Sequence, residues 1–113
     1  MKKHLLGVIV LAFLFACSSN PSPKKTAELF LTNFFNGNIS EIEEHTTEST
    51  FKILEFASSL GDMEAYPDFE FNFIRDSIVG NKAWVYFGDD EDESVIELIK
   101  IDNKWLVHID DSK

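Results

Sequence analysis

Near residue 68 the spacing of apolar side chains changes from every third or fourth residue to every second, and this switch dictates the fold class. Upstream, Ala27, Phe30, Leu31 and Phe34 recur at i, i+3, i+4 and i+7. They form one stripe along a helix that Ser22 caps, Pro23 opens and Gly37 ends. A very short second helix carries Ile39 and Ile42 inward and Glu41, Glu43 and Glu44 outward. After Thr46-Thr47, the residues Ile53, Phe56, Ala57 and Leu60 repeat the helical spacing, and Gly61 closes a third helix. Each helix has one apolar face, which must cover something.

Downstream, the alternation reads as strands. Phe69, Phe71 and Phe73 alternate with Glu70 and Asn72; Ala83, Val85 and Phe87 alternate with Trp84 and Tyr86; Ile96 and Leu98 alternate with Val95, Glu97 and Ile99. Trp105, Val107 and Ile109 complete the series. Gly80-Asn81 and Asp102-Asn103 supply the residues that tolerate positive φ, as two-residue hairpins demand. The expected fold is therefore α+β, with N-terminal helices packed on one face of a curved four-stranded antiparallel sheet.

Setting the last turn at Asp102-Asn103 places Leu98 opposite Val107 and Ile96 opposite Ile109, on the core face with Trp105. The opposite face then carries Trp84, Tyr86, Glu97, Ile99, Leu106 and His108, a candidate interaction face, because uncovered aromatic residues are what partner surfaces are made of. Glu97 and His108 would be neighbours there, as a surface ion pair or as a polar spot within an apolar interface. Keeping both Phe73 and Ile78 inward requires one extra residue at Ile74-Arg75-Asp76, which predicts a β-bulge.

The N-terminus has a different composition. Met1-Lys2-Lys3-His4 is positive and Leu5 to Ala16 is apolar and uncharged, the layout of a secretory signal. As a helix that stretch would span about 18 Å, against about 30 Å of hydrocarbon in a bilayer, so it predicts no permanent span. Leu14-Phe15-Ala16-Cys17 resembles the lipobox of bacterial lipoproteins. The resemblance implies that signal peptidase recognises Leu14, Phe15 and Ala16 and cuts before Cys17. It also implies that the Cys17 sulfur carries a diacylglyceryl group and its freed amine an acyl chain such as palmitate. Two or three chains, each contributing about 0.8 kcal/mol per buried CH₂, make a stable membrane anchor.

The expected division is a signal peptide over 1–16, lipidated cysteine and tether over 17–22, and an α+β domain over 23–113. The tether is rich in serine and proline, which favours an extended chain. No acidic residue follows Cys17 immediately, so the expected location in a two-membrane envelope is the periplasmic face of the outer membrane. Twenty acidic against 10 basic residues give a net charge of -10. That balance argues against a nucleic-acid partner and against flat adsorption on anionic lipid.

Pro23-Lys24-Lys25-Thr26-Ala27-Glu28-Leu29-Phe30-Leu31, Asn36-Gly37-Asn38 and Asp102-Asn103-Lys104-Trp105-Leu106-Val107 together resemble a known group. These are small bacterial lipoproteins of unknown function with a domain like nuclear transport factor two, the cystatin-like cone. The resemblance implies an opening helix with a central Phe, a helix break and a closing hairpin whose turn precedes Trp. It marks fold rather than chemistry, and the sheet is shorter than in the enzymatic relatives.

The chemical inventory is thin. Beyond the signal, His45 and His108 are the bases that titrate near neutrality, and there is no Gly-x-Ser-x-Gly elbow, phosphate-cradling loop or His-x-x-x-His pair. No catalytic residue, metal ligand or cofactor is assigned. Asp76, opposite Val85 in an apolar cone, would have a raised pKa and act as a base; the plainer reading is an exposed Asp beside Arg75. Asp89-Asp90-Glu91-Asp92-Glu93 has oxygen enough for calcium but lacks the Asp-x-Asp-x-Asp-Gly spacing, which favours a solvated hairpin tip. The expected role is non-catalytic, docking an envelope protein or a second copy through the outer sheet face. The alternative is a small-ligand carrier with a cavity between helices and sheet. One outcome is expected directly: protein from its native host has an intact mass that starts at Cys17 plus acyl chains, and Cys17→Ala abolishes labelling by radioactive palmitate.

Overall fold

The computed structural model describes residues 20–61, 65–89 and 91–110. The proposed signal, with Leu14, Phe15, Ala16 and Cys17, lies outside the described residues. Helix α1 (Pro23–Phe35) begins where Ser22 Oγ accepts the Lys25 N–H at 3.2 Å, and Pro23 sits where no donor is needed. Its buried stripe is Pro23, Thr26, Ala27, Phe30 and Leu31. A 3-10 helix (Ile39–His45) follows and buries Ile42 completely. Helix α2 (Glu48–Ser59) is capped by the Thr47 side chain.

Strands β1 (Phe73–Val79), β2 (Lys82–Gly88), β3 (Glu93–Ile101) and β4 (Lys104–Val107) form one antiparallel sheet in the order β1-β2-β3-β4. The β3-β4 turn holds Asp102 at φ 52 and Asn103 at φ 68, the left-handed pair that a tight hairpin needs. At the β2-β3 hairpin Gly88 has φ 119, and a Cβ there would strike the Asp92 carbonyl. Register places Ile78, Ala83, Leu98 and Val107 in one row, and Asp76, Val85 and Ile96 in the next. The expected bulge lies between Phe73 and Arg75.

The helices cover this face. Ala27, Phe30, Leu31, Ile42 and Leu54 from the helical layer meet Ala83, Val85, Leu98, Trp105 and Val107 from the sheet. Each large apolar side chain buried there contributes roughly 1.5–3 kcal/mol. Aromatic packing extends the core past the end of α1. Phe30 stacks on Phe34 (5.6 Å between centroids), Phe34 meets Phe35 edge-on (5.2 Å), and Phe35 stacks on Phe69 (4.4 Å). Phe69 and Phe71 both then reach Phe87.

Four sequence expectations differ from the structure. The first strand begins at Phe73, not Phe69, because Phe69 is held on α1 by its stack with Phe35 and by the Tyr66 N–H donating to the Phe35 carbonyl. Ile109 is not paired with Ile96: β4 ends at Val107, and the Ile109 N–H donates to Thr50 Oγ1 at 2.8 Å, which draws the chain off the sheet. Helix α2 buries Thr50 and Leu54 and leaves Phe56 65% and Leu60 58% exposed, rotated from the predicted stripe. The Thr50 hydrogen bond to Ile109 fixes that rotation. Finally, every residue of β1 is exposed, including Ile78 at 54%, because α1 packs chiefly on β4 and β2 and reaches this edge strand little.

The rotation of α2 has a stability signature. Leu54→Ala should lower the unfolding free energy by about 2–5 kcal/mol, and Phe56→Ala should change it by less than about 0.5 kcal/mol. Urea unfolding of the two variants would reverse that order if the predicted stripe were the buried one.

Candidate functional site

Two places bring chemistry-bearing side chains together: the sheet face turned away from the helices, and the junction of α2 with β4. On the sheet face, register aligns Arg75, Tyr86 and Val95; then Ser77, Trp84 and Glu97; then Val79, Lys82, Ile99 and Leu106. His108 extends the middle row, since its N–H donates to the Glu97 carbonyl at 3.0 Å. Trp84, Tyr86, Glu97, Ile99, Leu106 and His108 are all half-buried, and none of them belongs to the core cluster.

One end of this face is stiffened by Arg75. Its guanidinium lies over the Tyr86 ring at 4.1 Å and grips the Glu93 carboxylate with two bonds, of 2.6 and 3.3 Å. The hydrogen bond to Glu93 raises the already high Arg75 pKa. Beyond it, the Asp89 carboxylate accepts the N–H groups of Glu91 (3.0 Å) and Asp92 (2.7 Å) and so shapes the acidic hairpin tip. Among the described residues, no three His, Cys, Asp or Glu side chains are grouped to hold a metal ion.

At the α2-β4 junction, Thr47 Oγ1 stands 2.8 Å from Thr50 Oγ1 and 3.0 Å from His108 Nδ1. The Thr47–His108 distance is that of a hydroxyl nucleophile and its base. The surroundings assign it a structural job. Thr47 is 7% exposed, its oxygen also accepts the Thr50 N–H as the α2 cap, and its own N–H donates to the Val107 carbonyl at 3.0 Å. A substrate carbonyl would have to come within about 3 Å of that oxygen. The His108 ring is engaged by Thr47, and it makes no ion pair with Glu97.

The grooves lie elsewhere. One, of about 520 Å³, runs between the 3-10 helix and α2 and is lined by Glu43, Thr46, Glu48, Phe51, Lys52 and Glu55. Another, of about 400 Å³, lies along the 3-10 helix beside Ser40, Glu41, Glu43 and Glu44. Neither of these two lies between the helices and the sheet, where the Phe packing described above sits. Asp76 faces Val85 in register but is exposed at the sheet edge, which is not the buried base the apolar-cone reading required. The threonine-histidine junction was not read from the sequence. Its partners are 61 and 59 residues apart, and only the Thr47-x-x-Thr50 spacing hinted at a cap.

No family model matches the chain, and no curated protein matches it. Among solved structures, a crystal structure from Campylobacter jejuni, provisionally named an NTF2-like transpeptidase, superposes with a TM-score of 0.56 at 17% sequence identity. The match covers 80% of this chain and 100% of that one. This likeness establishes an NTF2-like α+β fold: three helices against a four-stranded antiparallel sheet.

His45 ends the 3-10 helix, with Nε2 3.5 Å from Glu44 Oε1. Burial is the largest influence and pushes its pKa below the usual 6.5; Lys104 adds to this, while Glu44 and Glu41 oppose it. A histidine whose folded pKa is depressed contributes stability that is complete above the unfolded pKa and is lost as pH falls through the folded value. Unfolding midpoints in urea should therefore fall as pH drops below about 6.5, and His45→Gln should flatten that fall.

Proposed function

We propose that this chain is a lipid-anchored bacterial envelope protein whose NTF2-like domain is a non-catalytic interaction module. It hangs from Cys17 at the periplasmic face of the outer membrane and docks through the sheet face bearing Trp84, Tyr86, Glu97, Ile99, Leu106 and His108. The observation that carries this reading is the face itself: two large aromatics and two aliphatics, half-buried and outside the core, on a sheet whose other side is already filled by helices. Such residues anchor interfaces because they bring large apolar area at little entropic cost.

The anchor reading rests on the charged N-terminus, the short apolar stretch and the Leu14-Phe15-Ala16-Cys17 sequence. Residues 17–22 separate the lipid from α1, and at about 3 Å per residue they hold the domain within roughly 20 Å of the bilayer. The Campylobacter neighbour's provisional name raises acyl transfer as an activity to weigh. For this chain that chemistry would need a nucleophile open to substrate. The nearest arrangement, Thr47 with His108, serves as a helix cap inside the α2-β4 junction. A carrier would need room between helices and sheet, where Phe30, Phe34, Phe35, Phe69 and Phe87 pack instead.

A photo-crosslinking amino acid placed at Trp84 or Tyr86 in living cells should give an adduct of defined mass, and the same group at Glu55 or Ser59 on α2 should give none. Labelling from α2 with silence from the sheet would overturn the assignment of the face.

A further inference from the structure

Strand β1 concentrates exposed apolar surface on one edge of the sheet. Four of its seven residues, Phe73, Ile74, Ile78 and Val79, are large, apolar and exposed, Ile78 at 54% and Val79 at 66%. They do not share a face. Ile78 belongs to the row of Ala83, Leu98 and Val107 on the helix side, Val79 to the row of Lys82, Ile99 and Leu106 on the outer side, and Ile74 is the extra residue of the bulge. A flat protein surface covers one face of a strand, whereas a fluid apolar phase closes round both faces of an edge.

The chain also enters α1 beside this edge. Lys24, in the first turn of α1, holds its Nζ 4.4 Å from the centre of the Phe73 ring. A tether over residues 17–22, at about 3 Å per residue, reaches roughly 20 Å. From Phe73 to Val79, at about 3.3 Å per step, β1 covers roughly the same distance. All of β1 is therefore within reach of the bilayer.

We propose that β1 is the edge on which the anchored domain rests against the bilayer, with Phe73, Ile74, Ile78 and Val79 among the lipid headgroups. This rests on the lipid-anchor reading and adds an orientation to it. Each apolar pair has a lysine beside it: Lys24 over Phe73, and Lys82 opposite Val79 in register. Apolar side chains flanked by cations suit a contact with anionic phosphate at the membrane interface. Between the pairs stand Arg75 and Asp76, exposed charges that resist leaving water, so the strand stops at headgroup depth. That depth also suits the outer backbone groups of an edge strand, which hydrocarbon would leave unsatisfied and the hydrated headgroup layer does not. The net charge of -10 keeps the rest of the domain off anionic lipid and confines the contact to this edge. The Trp84 and Tyr86 face then stands upright beside the bilayer, open to a partner from the side.

The test uses lipidated protein from its native host, its acyl chains verified by intact mass, in vesicles of phosphatidylethanolamine and phosphatidylglycerol. Cys17 is the chain's one cysteine, so with Cys17 acylated a cysteine introduced elsewhere is the single free thiol for an environment-sensitive fluorophore. Labels at Ile78→Cys and Val79→Cys should shift to the blue on reconstitution and lose most of their emission to a quencher carried on the lipid headgroups. Labels at Leu60→Cys on α2 and Lys104→Cys on the opposite edge strand should keep the emission they have in water. All four positions are exposed, and unchanged melting curves would verify folding. Without any label, amide exchange over Phe73–Val79 should be several-fold slower in vesicles than in the Cys17→Ala chain in solution, and Ile78→Asp with Val79→Asp should abolish that difference. Labels at Ile78 and Val79 that stay in water, or quenching at Leu60 or Lys104 instead, would overturn the contact and leave the anchor standing. Slowed exchange without quenching would show that a second copy or another protein covers the edge, and would overturn it too. A bare Cys17 thiol would remove the anchor and the contact together.

Discussion

The structure depends on how the link between the 3-10 helix and α2 attaches to β4. Thr46 bridges Val107, the Thr47 N–H donates to the Val107 carbonyl, and Thr50 Oγ1 accepts the Ile109 N–H. Backbone groups on the edge of a sheet would otherwise be left for water or for another chain. Here they are satisfied by the helical layer, and the same bonds set the rotation of α2. The polar side chains involved, Thr46, Thr47 and Thr50, are buried yet fully hydrogen-bonded, so they cost little and specify a single docking geometry.

The opposite edge is handled differently. β1 is exposed along its length and, among the described residues, has no strand beside it on its outer side. A bulge at its start and the adjacent charges Arg75 and Asp76 make it a poor template for further pairing. Arg75 also ties the strand to the β2-β3 hairpin through Glu93 and braces Tyr86. The exposed strand therefore helps to build the outer face of the sheet.

Filling and function are linked through the phenylalanines. A domain this small has few residues to spend on a core, and α1 with the loop before β1 spends Phe30, Phe34, Phe35, Phe69 and Phe71 there. Rings packed at 4.4 to 6.4 Å between centroids fill the space between the end of α1 and the sheet. The polar grooves then fall outside, between the 3-10 helix and α2.

Local pattern was enough for the class of fold, the four-strand meander, the Leu98–Val107 register, the bulge near Arg75 and the helix cap at Ser22, because each follows from spacing or turn chemistry within a few residues. It also placed Trp84, Tyr86 and Ile99 on the same side of the sheet, since side chains alternate strictly along a strand. What tertiary structure alone decided was the rotation of α2, the departure of Ile109 from the sheet and the capture of Phe69 by α1. Each turns on a contact between residues distant in the chain: Thr50 with Ile109, Phe35 with Phe69. A helix with both a threonine and large apolar side chains has two faces of nearly equal claim to burial, and only the partner across the junction, a backbone N–H needing an acceptor, selects between them.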